Sequence, residues 1–434
     1  MPKIQNRGVI LALLTLVYTF NFIDRQIVGT LGPFIKADLG LDDTQLGLLT
    51  GIVFAAFYTA IGIPIASLVD NTKTLRLGPI SIRFDRVTII ALSLATWSFF
   101  TVLTGFVGGF AIMALLRIGV AIGEAGCSPP SHALISDLYP PKERAKALSI
   151  FALGVPFGTM AAYFAVAFFA NGGSVDWRAA FIVVGLAGLP IAFAVKALLP
   201  EPERGRLDAG ASQALPFKQA VGTLAKIPSY WAMALGIAFT SFGGYAVAGF
   251  LTTYIFSAYP GIPVVPVLIG LGVGNATFYA AGTFLGGLVA DKYGAKNVAA
   301  YAIVPAVTVA LAGVALTVGW HIGTFAAFAV CLSLFVFFNG FNLGPSFSVA
   351  QNLAGVSVRA TSTAVFFFVL NIIALGLGPT VTGILSDMFA AQTGDTVVGL
   401  RYALTALAVP FTLSVGAYLF AARSLPRDWA KANG

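Results

Sequence analysis

The chain has 434 residues, of which 25 are Lys or Arg and 17 are Asp or Glu, so only 10% carry charge. Soluble globular proteins carry charge on roughly 25% of their residues, whereas 58% of this chain is hydrophobic. A soluble fold would leave much of that apolar surface exposed, and a disordered chain requires low hydrophobicity and high charge. Both classes are excluded, and most of the chain is predicted to lie in lipid.

Long apolar runs predict an all-α membrane protein with twelve transmembrane helices. Each run is close to the roughly 20 residues that span a bilayer, whereas strands of a membrane barrel alternate over about ten residues. In chain order the predicted helices are 9–29, 45–69, 84–106, 109–130, 144–170, 178–199, 230–257, 264–290, 297–318, 322–350, 359–386 and 399–423.

The positions of Lys and Arg predict the topology. With the N-terminus in the cytoplasm, 20 of the 25 basic residues fall in cytoplasmic segments. Only Lys36, Arg178 and Arg401 fall in outer segments, and the remaining two lie within the membrane. Cytoplasmic loops of membrane proteins collect Lys and Arg. We therefore expect a multi-pass protein of the inner (plasma) membrane with both termini in the cytoplasm. The net charge of +8 is explained without a nucleic-acid partner.

The predicted helices also divide into two parallel halves of six. Residues 1–199 predict an N-terminal six-helix bundle, 200–228 a polar cytoplasmic linker, and 229–434 a C-terminal six-helix bundle. Asp70 and Asp291 each fall 61 residues after the start of the first helix of their half. Internal repeats of this kind are typical of transporters, whose substrate site lies between the repeats; a membrane scaffold of two bundles is the alternative.

A loop motif follows the eighth helix and has a weaker copy after the second. Residues 287–296 match G-x-x-x-D-[RK]-x-G-x-[RK], with Asp291 and Lys292 at its centre, and Asp70 occupies the same place in the first half. The first copy lacks the leading Gly and the basic residue, and the segment 72–85 that follows it could form a short interfacial element. Here the chain resembles the major facilitator superfamily, whose loops carry this motif.

Asp291 can accept hydrogen bonds from a helix N-terminus or pair with a cation of a neighbouring helix. Such a contact would latch the cytoplasmic side shut, and we take Asp70, Asp291, Lys292 and Arg144 as candidate gating residues. A solvated turn with a Gly cap is the alternative.

Three further motifs resemble the Spinster-like branch of this superfamily. They are Asn21-Phe-Ile-Asp24-Arg25 in helix one, the stretch from Arg117 through Glu124 to Pro140 in helix four, and Gly154-Val-Pro156-Phe-Gly158 in helix five. The resemblance implies transport of lipid-like anions, namely sphingolipid phosphates or lysophospholipids, by proton-linked alternating access.

Only four ionisable residues lie deep in the predicted helices: Asp24, Arg25, Arg117 and Glu124. Such residues cost about 2.5–3.5 kcal/mol each on insertion scales and usually mark function. Arg117 and Glu124 are seven residues apart, so both project from one helix face too far apart to pair, and each could meet a partner from helix one. Gly119 and Gly123 would let a neighbouring helix approach.

We assign roles to these four residues by their chemistry. Arg25 and Arg117 are candidate anchors for an anionic headgroup, since guanidinium binds phosphate or carboxylate in a bidentate manner. Asp24 and Glu124 are candidate proton carriers. The alternative is a static network of buried salt bridges.

The second half offers neutral polar and aromatic candidates for substrate binding. With Asn21 of helix one, they are Tyr245, Asn339, Asn342, Asn371 and Phe367. The Asn residues either line a cavity or hydrogen-bond across helices, and Gly344-Pro345 predicts a break in helix ten. The three phenylalanines at 366–368 could contact the acyl chain of a substrate or face the lipid bilayer.

The leading hypothesis is a proton-coupled secondary transporter that moves an amphipathic anion in exchange against protons, as a monomer, without a cofactor or metal and driven by the proton gradient. The alternative within transport is a small organic anion or drug. An enzyme is not expected because the sequence contains no H-E-x-x-H or G-x-S-x-G motif. A channel would carry a repeated filter or charged ring, and the sequence contains neither.

Overall fold

The computed structural model describes residues 3–70, 73–77, 80–203, 217–355 and 358–433. Within these residues, twelve helical stretches are long and apolar enough to cross a membrane. The predicted all-α membrane protein with twelve spans is therefore confirmed. The spans are Arg7–Thr30, Asp43–Gly62, Arg86–Thr104, Phe110–Leu138, Lys142–Phe168, Trp177–Leu198, Pro228–Ala258, Val264–Gly294, Ala300–Trp320, Phe325–Ala354, Thr361–Thr393 and Thr396–Ala432.

Several spans of the first half consist of two helices in sequence, so the helices outnumber the spans. The elements are α1 (Arg7–Thr30), α2 (Gly32–Leu39), α3 (Asp43–Thr50), α4 (Ile52–Asp70), β1 (Lys73–Leu77), β2 (Ile80–Phe84), α5 (Arg86–Thr104), α6 (Phe110–Glu124), α7 (Ser128–Leu138), α8 (Pro141–Ala152), α9 (Gly154–Phe168), β3 (Ala170–Asn171), β4 (Ser174–Val175) and α10 (Trp177–Leu198).

The second half begins with a helix inside the predicted linker 200–228. This helix was not predicted, because eight residues give too short a periodic signal. The elements are α11 (Phe217–Leu224), α12 (Pro228–Ala258), α13 (Val264–Gly274), α14 (Ala280–Gly294), α15 (Ala300–Trp320), α16 (Phe325–Asn339), α17 (Leu343–Ala354), α18 (Arg359–Leu370), α19 (Gly378–Thr393), α20 (Thr396–Thr405) and α21 (Ala408–Asn433).

Three short segments interrupt the spans of the second half. Asn275–Tyr279 and Asn371–Leu377 are π-helical, and Gly340–Asn342 forms a 3₁₀ turn between α16 and α17. The predicted break at Gly344-Pro345 is therefore wrong in position. Pro345 lies in the first turn of α17, where a missing N–H removes no helical hydrogen bond.

Polar residues at the span ends explain where helices start. The Asn6 side chain accepts a hydrogen bond from Gly8 N at 2.9 Å, and Asp85 accepts one from Thr88 N at 2.7 Å. Asp42 and Gln45 form a capping box at the start of α3. These caps satisfy N–H groups that a helix leaves unbonded at its first turn.

The segment between the second and third spans forms an antiparallel hairpin. Its strands β1 and β2 pair Lys73 with Phe84 and Leu77 with Ile80. This is the segment that the sequence indicated as a short interfacial element.

The chain forms two compact units. The first comprises Met1–Leu41, Val53–Ala211 and Pro263–Gly272, and the second comprises Asp42–Ile52, Ser212–Ile262 and Val273–Gly434. In the first unit α1 packs on α9, and α5 packs on α6 and α10. In the second unit α12 packs on α21, α15 on α16, and α19 on both α3 and α20. The division into six-helix halves joined at 200–228 remains a prediction.

Candidate functional site

Charged side chains on α1 and α6 meet inside the first unit. Close packing of glycines on the α6 face toward α5 brings the helices together: a Cβ at Gly123 would lie 2.6 Å from the Trp97 backbone nitrogen, and one at Gly119 2.6 Å from the Phe100 ring. The neighbouring helix that these glycines admit is thus the third span. The opposite side of α6 carries Arg117 and Glu124 toward α1.

Arg25 and Glu124 form a buried ion pair. Arg25 Nε donates to Glu124 Oε2 at 2.7 Å. The Glu124 side chain has no exposed surface, whereas about a tenth of the Arg25 side chain, 10%, remains accessible. Arg25 is therefore the less buried member of the pair.

Asp24 and Arg117 form the second part of the cluster. Thr101 Oγ1 donates to Asp24 Oδ1 at 2.5 Å, and Arg117 Nη1 donates to the Asp24 backbone oxygen at 3.2 Å. Asp24 and Arg117 are almost fully buried, with 2% and 3% of their surface exposed. The expectation that Arg117 and Glu124 each meet a helix-one partner, rather than one another, agrees with these contacts.

An aromatic wall surrounds the two guanidinium groups. The Arg25 Cζ atom lies 4.4 Å from the Tyr58 ring centre, 5.2 Å from Phe22 and 5.4 Å from Phe54, and Arg117 Cζ lies 4.9 Å from Phe54. Cation–π contacts at these distances are worth about 2 kcal/mol when desolvated. The sequence analysis missed Phe54 and Tyr58. The available signal was their spacing of four residues, which places both rings on one face of a helix, in a half of the chain that carries two intramembrane arginines.

One carboxylate oxygen in the cluster is buried without a well-formed hydrogen bond. Among the described residues Glu124 Oε1 has no such partner, and neither has the buried side chain of Asn21. The four formal charges sum to zero, and the Asn21 amide lies against the Glu124 carboxylate without ideal hydrogen-bond geometry. That combination suits a carboxyl group that can hold a proton.

The candidates of the second unit have a different character. Asn342 donates to the Asn339 backbone oxygen at 2.5 Å across the 3₁₀ turn, so this Asn stabilises a helix break. Asn371 begins one of the π-helical segments, and π-bulges are frequent at functional sites. Phe367 is 40% exposed and lies 5.0 Å from the Phe347 ring. Tyr245 is partly buried within α12.

The candidate gating residues Asp291 and Arg144 each have contacts within their own unit. Asp291 accepts a hydrogen bond from the Tyr301 hydroxyl at 3.0 Å, and its role in gating stays a prediction. Lys292 is exposed, and Arg144 Nη2 donates to the Ser136 backbone oxygen at 2.7 Å. Asp70 ends α4, and its side chain lies outside the described residues.

Sequence analysis also missed buried charge at the helix ends. Arg86 is 2% exposed and bonds to Asp137, to Glu201 Oε1 at 2.6 Å and to the Pro202 backbone oxygen at 2.7 Å. Asp43 is also buried, with 3% exposure. Arg86 and Asp43 are the first residues of α5 and α3, so they add buried charge at helix ends to the four charges that lie deep in the helices.

The comparisons with known proteins give the family. A model of the Major Facilitator Superfamily matches residues 14–379. The chain belongs to the major facilitator superfamily. The predicted transporter class is confirmed, and the relatives are transporters rather than enzymes.

Individual relatives indicate the branch. A crystal structure of a bacterial homologue of the human lysosomal transporter Spinster, inward-facing and unoccupied, superposes with a TM-score of 0.87 at 29% identity, covering 97% of this chain and 98% of that one. An efflux pump of the superfamily from Mycolicibacterium smegmatis (strain ATCC 700084 / mc(2)155) is 27% identical over 94% of this chain and 91% of its own. A Bacillus subtilis (strain 168) protein named probable galactarate/D-glucarate transporter is 32% identical over 46% of this chain and 42% of its own. The predicted Spinster-like membership is thereby confirmed.

Proposed function

We propose that this Spinster-like transporter moves an amphipathic anion, a lysophospholipid or sphingolipid phosphate, by proton-coupled alternating access. The observation that carries the proposal is the Arg25–Glu124 pair, in which an arginine side chain that keeps a tenth of its surface accessible meets a fully buried carboxylate beside the Tyr58 ring. Such an arginine can bind a phosphate headgroup in place of its internal partner.

Proton coupling follows from the competition for Arg25. When a substrate anion engages Arg25, the bond to Glu124 weakens and a carboxylate with no exposed surface loses its cation. An unpaired charge in a buried apolar site is far less stable than the neutral acid, so Glu124 takes up a proton. Substrate and proton are then bound together and cross together, in place of the exchange against protons that was expected from the sequence. Asp24, bonded to Thr101, is the second proton carrier in the proposal. Arg117, beneath Phe54, assists the headgroup site.

The second unit supports a substrate with an acyl chain. An apolar groove of about 660 Å³ lies between the eighth and tenth spans, lined by Phe278, Ala281, Val330, Leu334 and Phe337, with Thr277, Ala329 and Ser333. Such a groove suits hydrocarbon rather than a sugar acid. The protein is proposed to act in the inner membrane as a monomer, with both termini in the cytoplasm.

A small organic anion is the second candidate function. Its support is the relative named galactarate/D-glucarate transporter, and two arginines bind a carboxylate as well as a phosphate. The two candidates differ in whether the aromatic and apolar surfaces contribute to binding.

The experiment is flux into reconstituted vesicles with labelled lysophosphatidate, sphingosine phosphate and galactarate, each with and without a pH gradient. The proposal predicts saturable flux of a lipid phosphate that the gradient stimulates and that Arg25→Ala abolishes. Gradient-stimulated flux of galactarate alone would transfer the proposal to the second candidate. Lipid flux that is insensitive to the gradient would contradict proton coupling.

A further inference from the structure

The second span is divided where the chain passes from one unit to the other. Its outer helix α3 belongs to the second unit, and α4 beyond Ile52 belongs to the first. Gly51 interrupts the helix between them with φ −114° and ψ −113°. The freed backbone N–H of Ile52 donates instead to Thr380 Oγ1 at 3.0 Å. The break is thus a built feature with its own hydrogen-bond partner.

A carboxylate of α19 holds the N-terminus of α3. Asp387 accepts hydrogen bonds from the backbone nitrogens of Asp43 at 3.2 Å and Thr44 at 2.7 Å, and from the Thr44 hydroxyl at 2.6 Å. The adjacent Ser386 donates to Asp43 Oδ2 at 2.6 Å. Asp387 therefore satisfies two of the N–H groups left open at the start of α3, and its charge is favourable next to a helix N-terminus.

The backbones of α3 and α19 touch along this contact. A Cβ at Gly47 would lie 2.5 Å from the Pro379 backbone oxygen, and one at Gly383 would collide with the backbone oxygen of Asp43. Such contacts require glycine at both positions, and they place α3 directly against α19.

The eighth span, which corresponds to the second in the other half, divides in the same way. Its residues up to Gly272 belong to the first unit, where a Cβ at Gly272 would lie 3.2 Å from Tyr163 Cβ on α9. A π-helical segment, Asn275–Tyr279, follows directly. Two related spans therefore both break where they pass between units.

We propose that α3 is a gate at the predicted outer side, held shut by Asp387 and hinged at Gly51. Alternating access requires the N-terminal six-helix bundle to move against the C-terminal one. In the proposal, α3 must leave α19 for the outer side to open. The hinge lets α3 do so without displacing the buried charge cluster on α1 and α6. This inference rests on the proposed transport function, but its test uses neither substrate nor gradient, so the two can fail separately.

The test measures distances between two spin labels in the full-length protein in detergent and in lipid nanodiscs. The native Cys127 and Cys331 are replaced with Ala, and labels are attached to cysteines at exposed position 37 of α2, the helix before α3, and at exposed position 392 near the end of α19. Double electron–electron resonance then reports the distribution of outer-side distances.

The decisive variant is Asp387→Asn, which removes the charge and presents N–H donors to the N–H groups of α3. Asp395→Asn is the matched control, because Asp395 caps α20 and does not bond to α3. Gly383→Ala tests the same contact by steric means, with Gly416→Ala, where a Cβ meets nothing within 4 Å, as its control. Asp387→Asn and Gly383→Ala are expected to enlarge a longer-distance population several-fold, while both controls keep the wild-type distribution.

Thr44→Val removes a single hydroxyl bond and serves if Asp387→Asn does not fold; a smaller shift in the same direction is expected. Distance distributions that stay at wild type in Asp387→Asn and Gly383→Ala would overturn the proposal. An equal shift in the Asp395→Asn control would also overturn it, since the effect would then be general loosening.

Discussion

Replacing Glu124 with Gln removes the proton site while keeping the shape of the buried pair. The Gln carboxamide oxygen can still accept from Arg25 Nε, which lies 2.7 Å from Glu124 Oε2. What is lost is the charge on the acceptor and the ability to take up a proton. We therefore expect Glu124→Gln to exchange substrate across the membrane at equilibrium but to lose stimulation by a pH gradient.

The stability cost of this change can be bounded from the structure. Both side chains are at least nine-tenths buried. Removing one partner of a buried pair costs about 3–5 kcal/mol, which is the expectation for Glu124→Ala. A hydrogen bond to a charged group contributes about 1.5–3 kcal/mol, and Gln retains part of it. Glu124→Gln should therefore lose no more than about 2 kcal/mol and remain folded.

The assay compares gradient-driven uptake with substrate counterflow in the same vesicles. Glu143→Gln is the matched control, since Glu143 pairs with Arg7 at 3.1 Å with about half of each side chain exposed. Glu143→Gln should retain wild-type stimulation by the gradient. Full stimulation in Glu124→Gln would refute the reasoning that assigns proton coupling to this carboxylate.

Three further variants test the packing and the outlying charges by thermal unfolding in detergent. Gly123→Ala should lose about 1–3 kcal/mol by overpacking, whereas Gly287→Ala, which has nothing within 4 Å of its Cβ, should not be destabilised. Arg178 holds the pKa of Asp38 below its ordinary value through a hydrogen bond, so the pair stabilises at neutral pH and its contribution is lost as the pH falls through that lowered pKa. Because both side chains are about two-fifths exposed, Asp38→Asn should cost less than about 0.5 kcal/mol at pH 7, and the difference should vanish in acid. Arg86→Ala, which removes the cation from the buried Asp137 and the partly exposed Glu201, should cost about 3–5 kcal/mol; a change below about 1 kcal/mol would show that its pairs behave as surface pairs.

Hydrophobic length and charge placement predicted the spans because the bilayer imposes them directly. A run near 20 apolar residues has one stable state in lipid, and all twelve predicted runs correspond to spans. The intramembrane charges were equally visible, since Asp24, Arg25, Arg117 and Glu124 stand alone in apolar sequence. Helical spacing then indicated that Arg117 and Glu124 would look for partners on another helix, as their contacts show.

Tertiary contacts between helices were not predictable in the same way. In the sequence Phe54 and Tyr58 resemble any other apolar positions of a membrane helix. Only the packing of α4 beside Arg25 shows that they contact its guanidinium group. Asp43 and Asp387 read as loop charges, because nothing in either sequence segment shows that the two helix ends meet. The break near Gly51 likewise depends on a partner elsewhere in the chain. In helix ten the break was predicted at Pro345 from a local proline pattern, whereas the structure has it at Gly340–Asn342.

In the proposed mechanism one buried cluster, on α1 and α6, links an anionic substrate to a proton. The most direct test is the luminal pH of vesicles containing the protein and a trapped pH-sensitive dye, recorded when lysophosphatidate or sphingosine phosphate is added outside without an imposed gradient. We expect a saturable fall in luminal pH that is absent in Glu124→Gln and in Arg25→Ala. Substrate entry with an unchanged luminal pH in the wild-type protein would contradict it.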